Sequence, residues 1–182
     1  MTPAEYIQMK AFARVDGALL ALLWIGSFAC YVLGLATPFY GLVAMLLMAA
    51  TPFFVGVRLG KFRDVGLGGI ISLRRGWAYS VYVFFYAAIL LALAQYVYFA
   101  FIDQGYLMLA FTQALSTPEA KQMIEDAGMQ QAVRESLESM GQLRPIDYAL
   151  NVLTFNIMVG IVLGLPIGAL MKRSQRLENQ KS

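Results

Sequence analysis

The sequence predicts an all-α fold: a polytopic membrane protein, a four-transmembrane-helix bundle with a short cytoplasmic interfacial helix and a helical extracytoplasmic insert between helices 3 and 4. Three observations predict it. Four apolar stretches, at 17–35, 38–57, 77–102 and 148–171, match the roughly 20 residues a helix needs to cross a hydrocarbon core about 30 Å thick. The chain is 59% hydrophobic and only 14% charged, whereas water-soluble domains are about 45–50% apolar. Its cations, finally, are sorted into the segments that flank alternate ends of the spans. A single integral membrane domain over 1–182 is expected, with the insert at 103–145.

Thr2-Pro3-Ala4-Glu5 reads as a helix start: a threonine cap, proline at the first helical position and glutamate near the positive end of the dipole. A short amphipathic helix leads from it into the first span. That span is longer than a signal-peptide core and is followed almost at once by another, so it is expected to be retained. Gly26, Cys30 and Gly34 recur every four residues and predict a face of close helix approach. The Ala36-Thr37-Pro38 turn makes spans one and two an antiparallel hairpin. Span two carries small residues at Ala49, Gly56 and Gly60, and Pro52 removes one backbone hydrogen bond, which predicts a bend.

Between 58 and 76 the chain turns basic and glycine-rich, and the interfacial or re-entrant helix is placed there. The glycine spacing fits no dinucleotide fingerprint, and no P-loop lysine follows. Span three has aromatic residues at both ends, Trp77, Tyr79, Tyr82, Phe84, Phe85 and Tyr86 at one and Tyr96, Tyr98, Phe99 and Phe101 at the other, a pattern that anchors helices at membrane interfaces. The insert has helix signals of its own: Thr117-Pro118-Glu119 as a start with a stop at Gly128, then a helix from Met129 to Met140 ending at Gly141. Tyr106 to Leu115 is apolar enough to prolong span three or lie along the surface. Span four presents Asn156, Gly160, Gly164 and Gly168 at four-residue steps, a helix-packing stripe headed by an amide.

Charge sets the orientation. Lys10 and Arg14, then Arg58, Lys61, Arg63, Arg74 and Arg75, then Lys172, Arg173, Arg176 and Lys181 flank one side of the spans. The 103–145 segment sets Asp103, Glu119, Glu125, Asp126, Glu135 and Glu138 against Lys121, Arg134 and Arg144. By the positive-inside bias both termini are cytoplasmic and the insert faces outward. The net charge of +3 therefore reports topology rather than nucleic-acid binding, for which no stacking motif or basic helix is present.

The same residues narrow the function. Histidine is absent and Cys30 is the only cysteine, so imidazole bases, imidazole metal ligands and intrachain disulfides are excluded. Ten dispersed methionines make no ligand set, and neither metal nor cofactor is expected. No catalytic residue is assigned. Arg58, Lys61, Arg63, Arg74 and Arg75 are the candidate lipid- or phosphate-binding residues, because each cation near an anionic leaflet contributes about 1 kcal/mol. Asp103, Arg144 and Asp147 are candidates for an outer-face ion pair, and Asp16 for a solvated or paired end group. Gln95, Asn151 and Asn156 are the deepest polar side chains and suit interhelical hydrogen bonds, while the span-four stripe serves intrachain packing or a homodimer.

The run from Arg63 through Ser72, with Gly68, Gly69, Ile71 and Ser72, and the run Tyr96-Val97-Tyr98-Phe99-Ala100-Phe101-Ile102-Asp103 resemble the family of domain of unknown function 4199. The acidic helical insert before the last span is a further likeness, and isoleucine at position 70 departs from the tyrosine typical there. The resemblance covers nearly the whole chain. It implies a four-span protein of the bacterial inner membrane, common in Bacteroidota, without an assigned activity, and the encoding of relatives near polyprenyl-phosphate sugar transferases implies an accessory role in such glycan chemistry. Together these readings predict a non-catalytic inner-membrane protein that binds membrane lipids or a membrane-protein partner. A small dimeric transporter or lipid-carrier translocator is the alternative.

Overall fold

A computed structural model describes residues 2–173; the expectations placed on Arg176 and Lys181 lie outside the described residues. The elements are α1 (Pro3–Gly34), α2 (Pro38–Ala49), α3 (Thr51–Lys61), a π-helical turn (Phe62–Gly66), α4 (Leu73–Phe101), α5 (Tyr106–Leu115), α6 (Pro118–Asp126), α7 (Gln130–Gln142) and α8 (Pro145–Met171). Four helical segments, Pro3–Gly34, Pro38–Gly66, Leu73–Phe101 and Pro145–Met171, are long and apolar enough to cross a membrane. The chain forms two compact units, one from Met1–Ala92 with Asn151–Ser182 and the other from Leu93–Leu150.

In the first unit, Thr2 and Glu5 close a reciprocal capping box, Thr2 N–H donating to Glu5 at 2.8 Å and Glu5 N–H to Thr2 Oγ1 at 3.3 Å. From that cap α1 runs unbroken to Gly34, so the amphipathic lead-in and the first span are one helix. Span two breaks where Pro52 predicts it. Ala50 separates α2 from α3, and Phe54 N–H already returns to the Ala50 carbonyl at 2.9 Å, so the helix resumes within a turn.

The expected interfacial helix takes a different form. α3 continues through the π-helical turn to Gly66, and the chain then reverses through Gly68 and Gly69, whose φ of +65° and +92° suit glycine. Ile71 and Arg173 next exchange two backbone hydrogen bonds, both 3.1 Å. That bridge brings the start of α4 beside the end of α8.

Helix contacts use small residues, as lipid solvent demands. A Cβ on Gly17 would lie 2.9 Å from the Val83 carbonyl, one on Gly34 2.6 Å from Gly41 N, and one on Gly160 2.4 Å from Phe84 Cβ. A Cβ on Gly168 would lie 2.9 Å from Trp77 N and one on Gly164 3.1 Å from Trp77 Cδ1, so the span-four stripe is spent on α4 within the chain. Of the glycines in the stripe expected on span one, Gly34 is at a close helix approach and Gly26 faces open space. Gly56 and Gly60 of α3 face Met171.

Between the helices lie Trp24, Tyr79, Phe62, Phe84, Met9, Leu20 and Leu59, all fully buried. Phe62 stacks on Tyr79 with centroids 4.7 Å apart, and Trp24 tilts against Phe84 at 5.7 Å. Tyr79 and Phe84 are thus core residues rather than members of an interfacial belt. Large apolar side chains also point outward, Phe53 at 76% and Leu170 at 81% exposure, as spans facing hydrocarbon require.

In the second unit, Gln104 and Gly105 form a left-handed turn, with φ of 45° and 86°, so α5 is a separate helix. Thr117 Oγ1 caps α6 by accepting from Ala120 N–H at 3.3 Å, and Gly128 follows it with φ of +65°. α6 and α7 have no buried residue. Phe99 stacks on Tyr148 at 4.5 Å, and the Tyr148 hydroxyl donates to the Met140 carbonyl at 2.8 Å.

Candidate functional site

The end of the first unit that gathers the start of α1, the end of α3, the start of α4 and the end of α8 holds the five candidate cations. Their environments differ. Arg58 forms an ion pair with Asp16, whose other carboxylate oxygen accepts from the Tyr79 hydroxyl. Asp16 is 2% exposed and Arg58 24%, so a carboxylate from α1 ties α3 and α4 together below the surface. Arg63 binds the Asp64 carboxylate at 2.7 and 3.0 Å and reaches the Met171 carbonyl at 3.2 Å. Arg75 donates to Glu5 at 3.3 Å, while its Nε and Nη2 are buried without an acceptor among the described residues. Lys61 and Arg74 are exposed, and among the described residues neither has a side-chain partner.

Arg58 and Lys61 line one side of an open cleft of about 330 Å³, whose remaining walls are Ala11, Phe12, Val15, Asp16 and Phe62. Its chemistry is two-sided: an apolar floor from α1 and the π-helical turn, with two cationic side chains from the last turn of α3. Asp16 neutralises Arg58, so Lys61 supplies the unbalanced positive charge. Such a surface can hold an acyl or prenyl chain along Phe12 and Val15 with an anionic group at Lys61 and Arg58.

The buried position of Asp16 was legible only by combining two segments. Asp16 lies 20 residues before Ala36 and Arg58 lies 21 after Thr37, so an antiparallel hairpin turning at those residues places the two charges at one depth. Tyr79 sits 63 residues from Asp16, and no local pattern announces it.

The other candidates are arranged as follows. Arg144 and Asp147 form a bidentate pair, both contacts at 3.0 Å, and this bond raises the Arg144 guanidinium pKa. Asp103 takes different partners: its oxygens accept from Gly105 N–H at 3.1 Å and Leu107 N–H at 3.0 Å. Asn156 is buried but donates to the Val152 carbonyl of its own helix at 2.8 Å, rather than across to a neighbour. Gln95 is buried with Oε1 unpartnered, and Asn151 is exposed.

Fold and site together define a multi-pass α-helical membrane protein with an amphipathic cleft at the end of its bundle that carries Arg58. The chain belongs to the family described as protein of unknown function (DUF4199), which it matches over residues 16–173. No curated protein and no solved structure matches it.

Proposed function

We propose that this is a non-catalytic protein of the bacterial inner membrane that binds an anionic lipid in the cleft between α1 and α3. Both termini lie in the cytoplasm, and the 103–145 segment faces outward. The observation that carries this reading is the pairing of an apolar floor, Phe12 and Val15, with Arg58 and with Lys61, which has no ion-pair partner among the described residues, in one open cleft. Three of the five cations of the connection, Arg58, Arg63 and Arg75, already have carboxylate partners, and Arg74 does not line the cleft, so headgroup attraction there falls mainly on Lys61. A phospholipid and a polyprenyl phosphate share the chemistry required, a phosphate on an apolar chain. The latter would suit an accessory role in polyprenyl-phosphate-linked glycan chemistry in Bacteroidota.

Native mass spectrometry of the protein extracted from its membrane tests this. Lys61→Gln should lower the retained anionic lipid severalfold, while Arg63→Gln should change it little. The mass of the retained species distinguishes phospholipid from polyprenyl phosphate. Equal retention in all variants would refute the reading.

A transporter is favoured by one observation, a carboxylate buried among three helices, since intramembrane ionisable groups often mark ion pathways. Its test is flux in liposomes that Asp16→Asn abolishes. A homodimer built on Gly160, Gly164 and Gly168 would have to displace α4 from that stripe.

A further inference from the structure

The second unit contains a pocket of about 310 Å³, at the small end of the volumes that hold low-molecular-weight ligands. Its lining residues include Phe99 and Tyr148, Met108 and Met140, Leu143 and Asp103. Asp103 is 9% exposed. Its oxygens are fixed by the Gly105 and Leu107 N–H groups, and the Tyr98 hydroxyl also bonds it. These partners are neutral. No lysine or arginine among the described residues forms an ion pair with Asp103, and Arg144, close in sequence, is held by Asp147.

We propose that this pocket binds an organic cation, an ammonium group carried on a compact apolar body. The carboxylate gives the pocket a negative charge that no described side chain balances. Aromatic faces attract cations through their quadrupole, and a thioether sulfur is a soft, polarisable neighbour for an ammonium methyl group. Phe99 and Tyr148 stack at 4.5 Å and are locked further by the Tyr148 hydrogen bond to Met140, so the wall is built before the ligand arrives. An anionic ligand would meet Asp103 without compensation. A hard metal ion would find one carboxylate where it needs six or more oxygen ligands.

The test uses the full chain in nanodiscs of neutral phosphatidylcholine, with benzyltrimethylammonium as the probe and benzyl alcohol and benzoate as uncharged and anionic controls, followed by titration calorimetry. Saturable binding of the cation at or below about 1 mM is expected, with both controls weaker by about tenfold or more. Asp103→Asn should weaken the cation by about tenfold. Because Asp103 also fixes the turn before α5, Met108→Trp is the second variant: it fills the pocket, leaves the carboxylate in place, and should abolish binding. If Asp103→Asn fails to fold, Met108→Trp decides. No saturable binding of the cation, benzyl alcohol binding as tightly, or undiminished binding in folded Met108→Trp would overturn the proposal.

Discussion

Replacing Gly160 by alanine adds one methyl group where there is no room for it. The new Cβ would lie 2.4 Å from Phe84 Cβ and 2.7 Å from Phe84 Cγ, whereas carbon atoms in contact sit about 3.5–4.0 Å apart. Phe84 Cβ is fixed to the α4 backbone, so no rotamer change relieves the clash, and α8 and α4 must part by more than about 1 Å. Overpacking of this kind costs about 1–3 kcal/mol. The proper control is Gly26→Ala, because nothing lies within 4 Å of the Cβ position there. Both variants gain the same helix propensity, up to about 1 kcal/mol, so their difference isolates the packing cost. For a chain of this size each kcal/mol moves Tm by roughly 2–4 °C, which predicts a gap of about 2–12 °C. Thermal unfolding in a mild detergent, followed by helical circular dichroism, measures it. Coincident melting of the two variants would refute the assignment of the span-four stripe to the α4 contact.

Asp16→Ala leaves Arg58 without its carboxylate and should cost about 2–4 kcal/mol, somewhat less than a fully buried pair because Arg58 is 24% exposed. Tyr79→Phe removes one hydrogen bond to that carboxylate and should cost about 1.5–3 kcal/mol; a double-mutant cycle showing no coupling between the two positions would contradict the shared site. Gly69→Ala imposes a side chain at φ of +92° and should cost about 1–2 kcal/mol, more than Gly26→Ala at the same assay. Arg144→Gln breaks an exposed pair and should leave the thermal unfolding curve nearly unchanged, a clear loss of stability meaning that Arg144 has a partner beyond Asp147.

The four spans, the Thr2 and Thr117 caps and the break near Pro52 were legible because each rests on local chemistry: length, hydropathy, capping oxygens and a missing N–H. Which face of a span meets lipid and which meets protein was not. Both surroundings are apolar, so Tyr79 and Phe84 read like anchors although they are fully buried, and Gly26 reads like a packing residue although it faces open space. Asp16 shows the same limit from the polar side. Its neighbour Arg14 suggested a boundary residue, but its partners Arg58 and Tyr79 arrive from two other helices. Composition predicts a helix in the connection at 58–76, and helical structure does run to Gly66; beyond it Gly68 and Gly69 use their positive φ to turn the chain.

Every functional statement about the cleft depends on which leaflet it opens toward. Single cysteines placed at Thr2 and at Ala127, in a Cys30→Ala background, can be probed in intact cells with a membrane-impermeant thiol reagent. With both termini cytoplasmic, position 127 is labelled from outside and position 2 only once the membrane is permeabilised. Labelling at position 2 in sealed cells, with position 127 protected, would contradict that orientation.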